Sequence, residues 1–255
     1  MDNVYYSEYY ALERSHWWFT ARLKMLEIVL KKHCLPYFKT VKPLKILNIG
    51  VATGATSQML EKYGTVTSVE YDSSCCDFLK EKVGIIAVNA SLTDLPFSNE
   101  SFDIVCAFDV IEHIKDDAKA VSEISRVLHP EGKFFITVPA FRFLWSNHDV
   151  VNHHIRRYTL SQVNKLFLTN TLQAEYRSYF NFWLFFPVVI ARALLNIFPR
   201  KKKNETSGSD FEVLNSSKII NNILYKIFFS ESFFLLKGIT LPVGVSMLIV
   251  GNKQH

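Results

Sequence analysis

Apolar residues in the middle of the chain come in short unbroken runs, each closed by small or polar residues and followed by a stretch of helical spacing. Ile46-Leu47-Asn48-Ile49-Gly50 is such a run, and it reads as a parallel strand buried on both faces. The pattern then predicts a helix over Ala55–Tyr63, a strand over Val66–Tyr71, a helix over Ser73–Lys82, and strands over Gly84–Asn89 and Phe102–Phe108. Ile114, Ala118, Val121, Ile124 and Leu128 fall on one helical face. The turn His129-Pro130-Glu131-Gly132 introduces a strand over Lys133–Val138. Repeated β-α-β units of this length imply an α/β fold with a doubly wound, mostly parallel sheet and right-handed crossovers.

The flanks read differently. Residues 5–33 are helical in pattern, with Leu26, Val29, Leu30 and His33 on one face, behind a dense aromatic set of Tyr5, Tyr6, Tyr9, Tyr10, Trp17, Trp18 and Phe19. Such a set forms either a helical lid packed on the domain edge or a cover over a ligand. Ala140–Tyr158 is a polar and aromatic loop rich in His; Thr159–Leu168 is a helix opening on a Thr cap with Gln162 three residues on. A sixth strand is expected over Leu172–Phe180. Phe182–Ala191 is then apolar and uncharged, interrupted by Pro187 and ended by Arg192. Arg200–Asp210 reads as a charged linker, Ile219, Ile220, Ile223, Leu224, Ile227 and Phe228 as an amphipathic helix, and Gly244–Val250 as a final, antiparallel strand. The chain accordingly divides into an N-terminal helical cap (1–40), a core (41–180), a hydrophobic helical insertion with a basic linker (181–240) and the last strand of the core sheet (241–255).

Composition narrows the class. With 255 residues, 49% apolar and 21% charged, the chain is long enough to bury a sizeable core without staples. The net charge of +5 is modest. Its two basic clusters are Arg156–Arg157 and Arg200–Lys203; the second is either a solvated linker or an anchor for anionic lipid head groups. No nucleic-acid partner is expected, since no stacking motif accompanies the charge. None of the four cysteines stands in a C-x-x-C pair, and there is no basic, then apolar, leader pattern, so reduced thiols in the cytoplasm and no signal peptide are expected. Phe182–Ala191 falls short of the roughly 20 apolar residues a spanning helix needs. It is either a core or dimer-forming helix, or a segment that lies on a membrane surface with 181–203 as the contact.

The chemistry gathers at the ends of the predicted strands. The first strand runs into Asn48-Ile49-Gly50-Val51-Ala52-Thr53-Gly54 just before a helix, and small residues there let a ligand lie against bare backbone. Open α/β sheets bind ligands at this carboxyl edge. Glu70, 20 residues after Gly50, stands near the end of the second strand, where a carboxylate accepts both hydroxyls of a ribose. The third ends in Asn89-Ala90-Ser91, whose amide and hydroxyl suit the nitrogens of an adenine; the fourth leads to Phe108-Asp109-Val110-Ile111-Glu112-His113.

In this combination the sequence resembles the class I S-adenosylmethionine-dependent methyltransferases, in the branch with a Leu95-Pro96-Phe97 segment before the fourth strand. The family's acidic-x-Gly-x-Gly-x-Gly signature falls on Asn48, Gly50, Ala52 and Gly54, with Asn for the acid and Ala for the middle glycine. The resemblance implies a Rossmann-like fold, S-adenosyl-L-methionine as cofactor, and a donor-contacting set of Asn48, Gly50, Val51, Ala52, Gly54, Glu70, Tyr71, Asn89, Ala90, Ser91 and Phe108. A finer likeness rests on His16-Trp17-Trp18-Phe19 with Arg22, on Leu144-Trp145-Ser146-x-His148-Asp149, on His153-His154-x-Arg156-Arg157-Tyr158-Thr159 and on Leu241-Pro242-Val243-Gly244-Val245-Ser246. These resemble a bacterial and archaeal subgroup tied to polysaccharide or lipid-linked glycan assembly. What that likeness implies is O-methylation of a small-molecule, glycan or lipid-linked acceptor.

Trp17, Trp18, Arg156, Arg157 and Tyr158 are the expected acceptor contacts. His113, His148 and His153, with His154 beside them, are the candidate bases, because imidazole titrates near neutrality. Asp109, Glu112 and His113 form a D-x-x-E-H set similar to the E-x-x-E-H of certain Mg²⁺-using methyltransferases; Glu-His also opens this helix in metal-free relatives, and no metal is expected. A nicotinamide-dependent oxidoreductase would want G-x-G-x-x-G, where positions 50, 52 and 55 are Gly, Ala and Ala. A non-catalytic nucleotide-binding module of the same fold is the remaining alternative.

Overall fold

In the computed structural model, which describes residues 3–38, 42–197 and 218–254, the continuous apolar runs become the middle of a seven-stranded sheet. Its strands are β1 (Leu44–Ile49), β2 (Gly64–Glu70), β3 (Ala87–Asn89), β4 (Phe102–Phe108), β5 (Leu128–Pro139), β6 (Leu172–Phe180) and β7 (Ser246–Lys253), in the order β3-β2-β1-β4-β5-β7-β6. The first five are parallel to one another, and β7 alone runs antiparallel to its neighbours β5 and β6. This is the doubly wound, Rossmann-like sheet with an antiparallel C-terminal strand that the pattern predicts.

Side-chain alternation explains the two cores. Ile46, Ile104, Cys106 and Phe135 point to one face, where α2 (Trp17–Val29) and α3 (Ala55–Leu60) cover them. Leu47, Ile49, Val105, Ala107 and Phe134 point to the other, under α5 (Asp117–Val127) and α7 (Leu160–Leu168). On α2, Ala21, Met25, Leu26 and Val29 are almost wholly buried; each of the larger three is worth about 1.5–3 kcal/mol relative to exposure. α2 is therefore part of the core's own wall.

The N-terminal helical pattern is broken once. α1 (Asn3–Ser15) ends at His16, which is extended (φ −76°, ψ 134°) and accepts the Trp18 amide on its ring nitrogen, capping α2. The strand expected from Lys133 begins instead at Leu128, because His129–Gly132 continue the strand through a register shift opposite Phe102/Ile104. The apolar run at 182 carries on as α8 (Phe182–Ile197) with Pro187 inside it. α9 (Lys218–Phe229) and α10 (Ser232–Lys237) follow, and α9 packs Phe228 against α2. The Arg200–Asp210 linker and the basic cluster Arg200–Lys203 lie outside the described residues.

Candidate functional site

The turn after β1 is built from backbone. Gly50 takes φ +69° and donates its amide to Val69 O at 2.9 Å; a Cβ there would stand 2.5 Å from Val110 Cγ2. Only glycine meets both demands. Gly54, at φ +90°, caps α3 and leaves room for Ile85 and Leu79. Between them, Glu70 turns in from β2. Its carboxylate accepts the amides of Ala52 (3.1 Å), Tyr71 (2.8 Å) and Asp72 (3.2 Å). Burial raises the Glu70 pKa, and the three amides oppose that rise.

The neighbouring edge is in register with this one. Glu70 lies opposite Asn89, whose side-chain amide donates to Glu70 O and Tyr71 O, and the Ala90 amide donates to Glu70 O at 3.1 Å. Gly50, Glu70 and Asn89–Ala90 thus stand side by side at the carboxyl edge of three adjacent strands, where open α/β sheets have their ligand crevice. Ser91 bonds Thr93 at the rim, and Tyr71 is exposed there.

Three residues expected to contact the donor face elsewhere. Asn48 shares the face of Ile46 and is completely buried; its amide group bridges Thr56 and Ser57, both at 2.9 Å, tying β1 to α3. Phe108 shares the face of Ile104 and Cys106 and packs edge-on against Phe135 at 4.9 Å. Val51 sends its side chain into a small core with Tyr6 and with Cys75 and Phe78 of α4 (Ser73–Phe78). In all three, strand or turn geometry points the side chain into the core, so only their backbone is at the edge.

α1 lies across the turn. Thr53 Oγ1 donates to Glu13, Arg14 donates to Thr53 O and to Gln58, and Tyr6 donates to Asp72 at 2.8 Å. From α2, Arg22 reaches the far side of the crevice and pairs with Asp109 at 2.6 Å, while Thr137 donates to the same carboxylate at 2.9 Å. Trp18 stands beside Arg22 and donates its indole N–H to Asn181. Trp17 points the opposite way, buried against Phe228, which removes it from the expected acceptor contacts.

The loop after β5 forms the other wall. Asp149 is fully buried on α6 (Asn147–Val151) and accepts from the Ser146 amide (2.8 Å), Arg157 Nε (2.7 Å) and His154 Nδ1 (2.8 Å). Burial works against its charge, yet the bonds from His154 and Arg157 outweigh it and hold the carboxyl well below its ordinary range. Glu112 is also fully buried, and neither of its carboxylate oxygens has a hydrogen-bond partner; burial, then the Asp109 charge, pushes its pKa well up. The His113 and His154 rings stand 4.8 Å apart and those of His148 and His154 6.1 Å apart.

The expected anion grip is not assembled. Arg156 pairs with Asp117 at 2.6 Å and donates to Ile114 O and Lys115 O; Arg157 is buried on Asp149 and Ala140 O; Tyr158 is buried and donates to Asp117. Arg156 and Tyr158 fasten the loop to the start of α5, and Arg157 ties α6 to the end of β5. Among the described residues His153, exposed and at φ +57°, makes no ring contact with the other imidazoles, and only its backbone bonds the His113 ring. His154 takes its place. Sequence reasoning missed Asp149 and Arg22 as site residues. Their signals were the Ser146-x-x-Asp149 capping box and the one-turn spacing of Trp18 and Arg22.

Residues 47–136 match the family model described as a methyltransferase domain. The chain is similar to the uncharacterized methyltransferase YcgJ of Bacillus subtilis, 29% identical over 50% of this chain and 56% of that one. The crystal structure of YcgJ superposes with a TM-score of 0.54 over 91% of this chain and 99% of that chain, at 19% identity. It is also similar to the ubiquinone biosynthesis O-methyltransferase of Coxiella burnetii, 23% identical over 65% of this chain and 70% of the relative. A Haemonchus contortus phosphoethanolamine N-methyltransferase bound to S-adenosylhomocysteine shares the fold, with a TM-score of 0.53 at 18% identity over 91% of this chain and 53% of its own. The first three curated relatives are matched over 37%, 56% and 27% of their own lengths.

Proposed function

We propose, from the premise that the chain carries a class I S-adenosylmethionine-dependent methyltransferase domain, that the protein moves a methyl group from S-adenosylmethionine to a hydroxyl on a lipid-linked or other small glycan-like acceptor. The observation that carries the reading is the alignment of three strand ends, with Gly50 bare, Glu70 held by three amides and Ala90 one strand further on. These residues fit the donor. A carboxylate fixed by amides keeps lone pairs for a ribose diol, and a Cβ at position 50 would fill the space against Val110. The donor's sulfonium supplies an electrophilic methyl group, so the protein's task is chiefly alignment, worth up to about 7–11 kcal/mol in ideal cases.

Arg22, held by Asp109 at 2.6 Å and standing beside Trp18, gives the acceptor side of the crevice a fixed polar wall. A hydroxyl acceptor also gives up a proton, and the imidazoles gathered around His113, His148 and His154 supply acceptors for it.

A membrane-borne acceptor is supported by the surface beside this wall. Trp183, Phe186 and Ile190 on α8 and Ile219, Ile223 and Ile227 on α9 are exposed, with Lys218 and Lys226 at their flanks. Apolar helix faces edged by lysine suit an interfacial position on anionic lipid. Lys218–Lys237 are apolar enough over 20 residues to match a span, but they break at Ser230–Glu231 into two helices, with Glu231 buried. A surface position accommodates that break; a spanning one does not.

The test is incubation of the protein with methyl-labelled donor and fractionated lipid and glycan extracts. Label in a lipid-linked fraction is the expected result. Calorimetric binding of a nicotinamide dinucleotide with none of S-adenosylmethionine would overturn the reading, and donor binding with no labelled product in any fraction would favour a binding module.

A further inference from the structure

We infer that Glu112, His113 and His154 form a binding site for one divalent transition-metal ion. Their donor atoms all lie within 4.8 Å of one another. Glu112 is the independent sign. Its carboxylate is completely buried and both oxygens lack a partner, an arrangement that leaves a cation as the missing neighbour.

His154 is prepared for the same role. Its Nδ1 is held by the buried Asp149 carboxylate at 2.8 Å, which fixes the tautomer and leaves the Nε2 lone pair directed at Glu112, 3.9 Å from Oε1. That separation is too long for a hydrogen bond. It does suit two ligands of a shared ion: with bonds of about 2.0–2.2 Å, neighbouring ligands stand about 3–4 Å apart. A carboxylate behind a metal-binding histidine is the usual outer support of such sites. His113 is exposed and offers a ring nitrogen within 4.8 Å of the other two ligand atoms.

The ligand set also selects the metal. Asp109, the other acid of the D-x-x-E-H stretch, is already occupied by Arg22 and Thr137 and does not join. Two imidazoles and one carboxylate remain, a set that favours Zn²⁺, Co²⁺, Fe²⁺ or Mn²⁺ over Mg²⁺ or Ca²⁺. This revises the expectation of no metal. His148 stays outside the set, its ring 6.1 Å from that of His154 and in contact with Asn152.

The site stands on geometry and not on the transferase reading, so the two fail separately. The test uses the full chain, freed of any affinity tag and stripped with chelator. It is titrated with Co²⁺ while visible absorption is followed, with Zn²⁺ by calorimetry and with Mg²⁺ as the comparison. One equivalent of Co²⁺ or Zn²⁺, a ligand-field spectrum and a raised Tm are expected, with Mg²⁺ weaker. Glu112→Gln and His113→Asn each lower affinity by about 100-fold or more, and Asp149→Asn by about 10–100-fold. His113 is exposed, so its variant folds whatever becomes of the buried ones. Absence of stoichiometric binding, or undiminished binding by His113→Asn, overturns the site and leaves Glu112 as a neutral buried acid.

Discussion

The two walls of the crevice are made in different ways. The wall of Gly50, Glu70 and Ala90 is made by backbone around one side chain: amides of residues 52, 71 and 72 converge on the Glu70 carboxylate, and the contributing residues all fall between positions 50 and 90. The wall of residues 109–158 is side chain held by side chain. Arg22 reaches Asp109 across 87 positions, and Tyr158 returns across 41 to Asp117, where Arg156 joins it. Backbone geometry constrains the first to one ligand shape. Side chains are free to change without unmaking the sheet, so the second wall is where related chains can accept different molecules.

The sharpest way to break this contrast is Asp149→Ala. It strands the buried Arg157 and releases His154, and it is expected to cost about 3–5 kcal/mol of stability in urea unfolding, with donor affinity of the folded protein unchanged. Should donor binding fall in step with stability, the walls are one unit. Next in size is Glu70→Ala, which lowers donor affinity by about 2 kcal/mol or more through loss of charge-assisted bonds, read by calorimetric titration. Unchanged affinity would remove the ribose from this wall.

Smaller is the effect of Glu231. This buried acid accepts the Trp183 amide at the start of α8, and burial raises its pKa from 4.5 to about 7. The folded protein thus holds the proton more tightly than the unfolded chain. Its contribution to stability is whole below pH 4.5 and is lost as pH rises toward 7. Glu231→Gln should flatten that part of the curve of Tm against pH, and a slope equal to that of the unaltered protein would refute it. Smallest in stability is Ile223→Asp on the exposed face of α9. It should change unfolding by no more than about 0.5 kcal/mol while reducing co-sedimentation with anionic liposomes several-fold. Equal sedimentation would take the membrane away from the acceptor wall.

The central strands were readable because each is an unbroken apolar run, and a parallel strand buried on both faces has no other pattern. The turn after β1 was readable for a related reason: its contacts are local, and glycine at position 50 announces a backbone that no side chain tolerates. The errors have one origin. Asn48 and Phe108 stand at the right points in the sequence, but strand alternation turns them toward α2 and α3, and sequence order does not say which parity faces the crevice. Likewise a pair of arginines in a polar loop reads as an anion grip until Asp117 and Asp149 are seen to hold them.

Sequence alone determined the sheet, the parallel direction of β1 to β5 and the glycine turn at their carboxyl edge, since periodicity and a glycine turn depend on neighbours in the chain. Tertiary structure decided which imidazole is held by a buried acid, which acids are paired and which is left partnerless. Those outcomes depend on charges brought together from helices and loops far apart in sequence, where burial makes every missing partner costly.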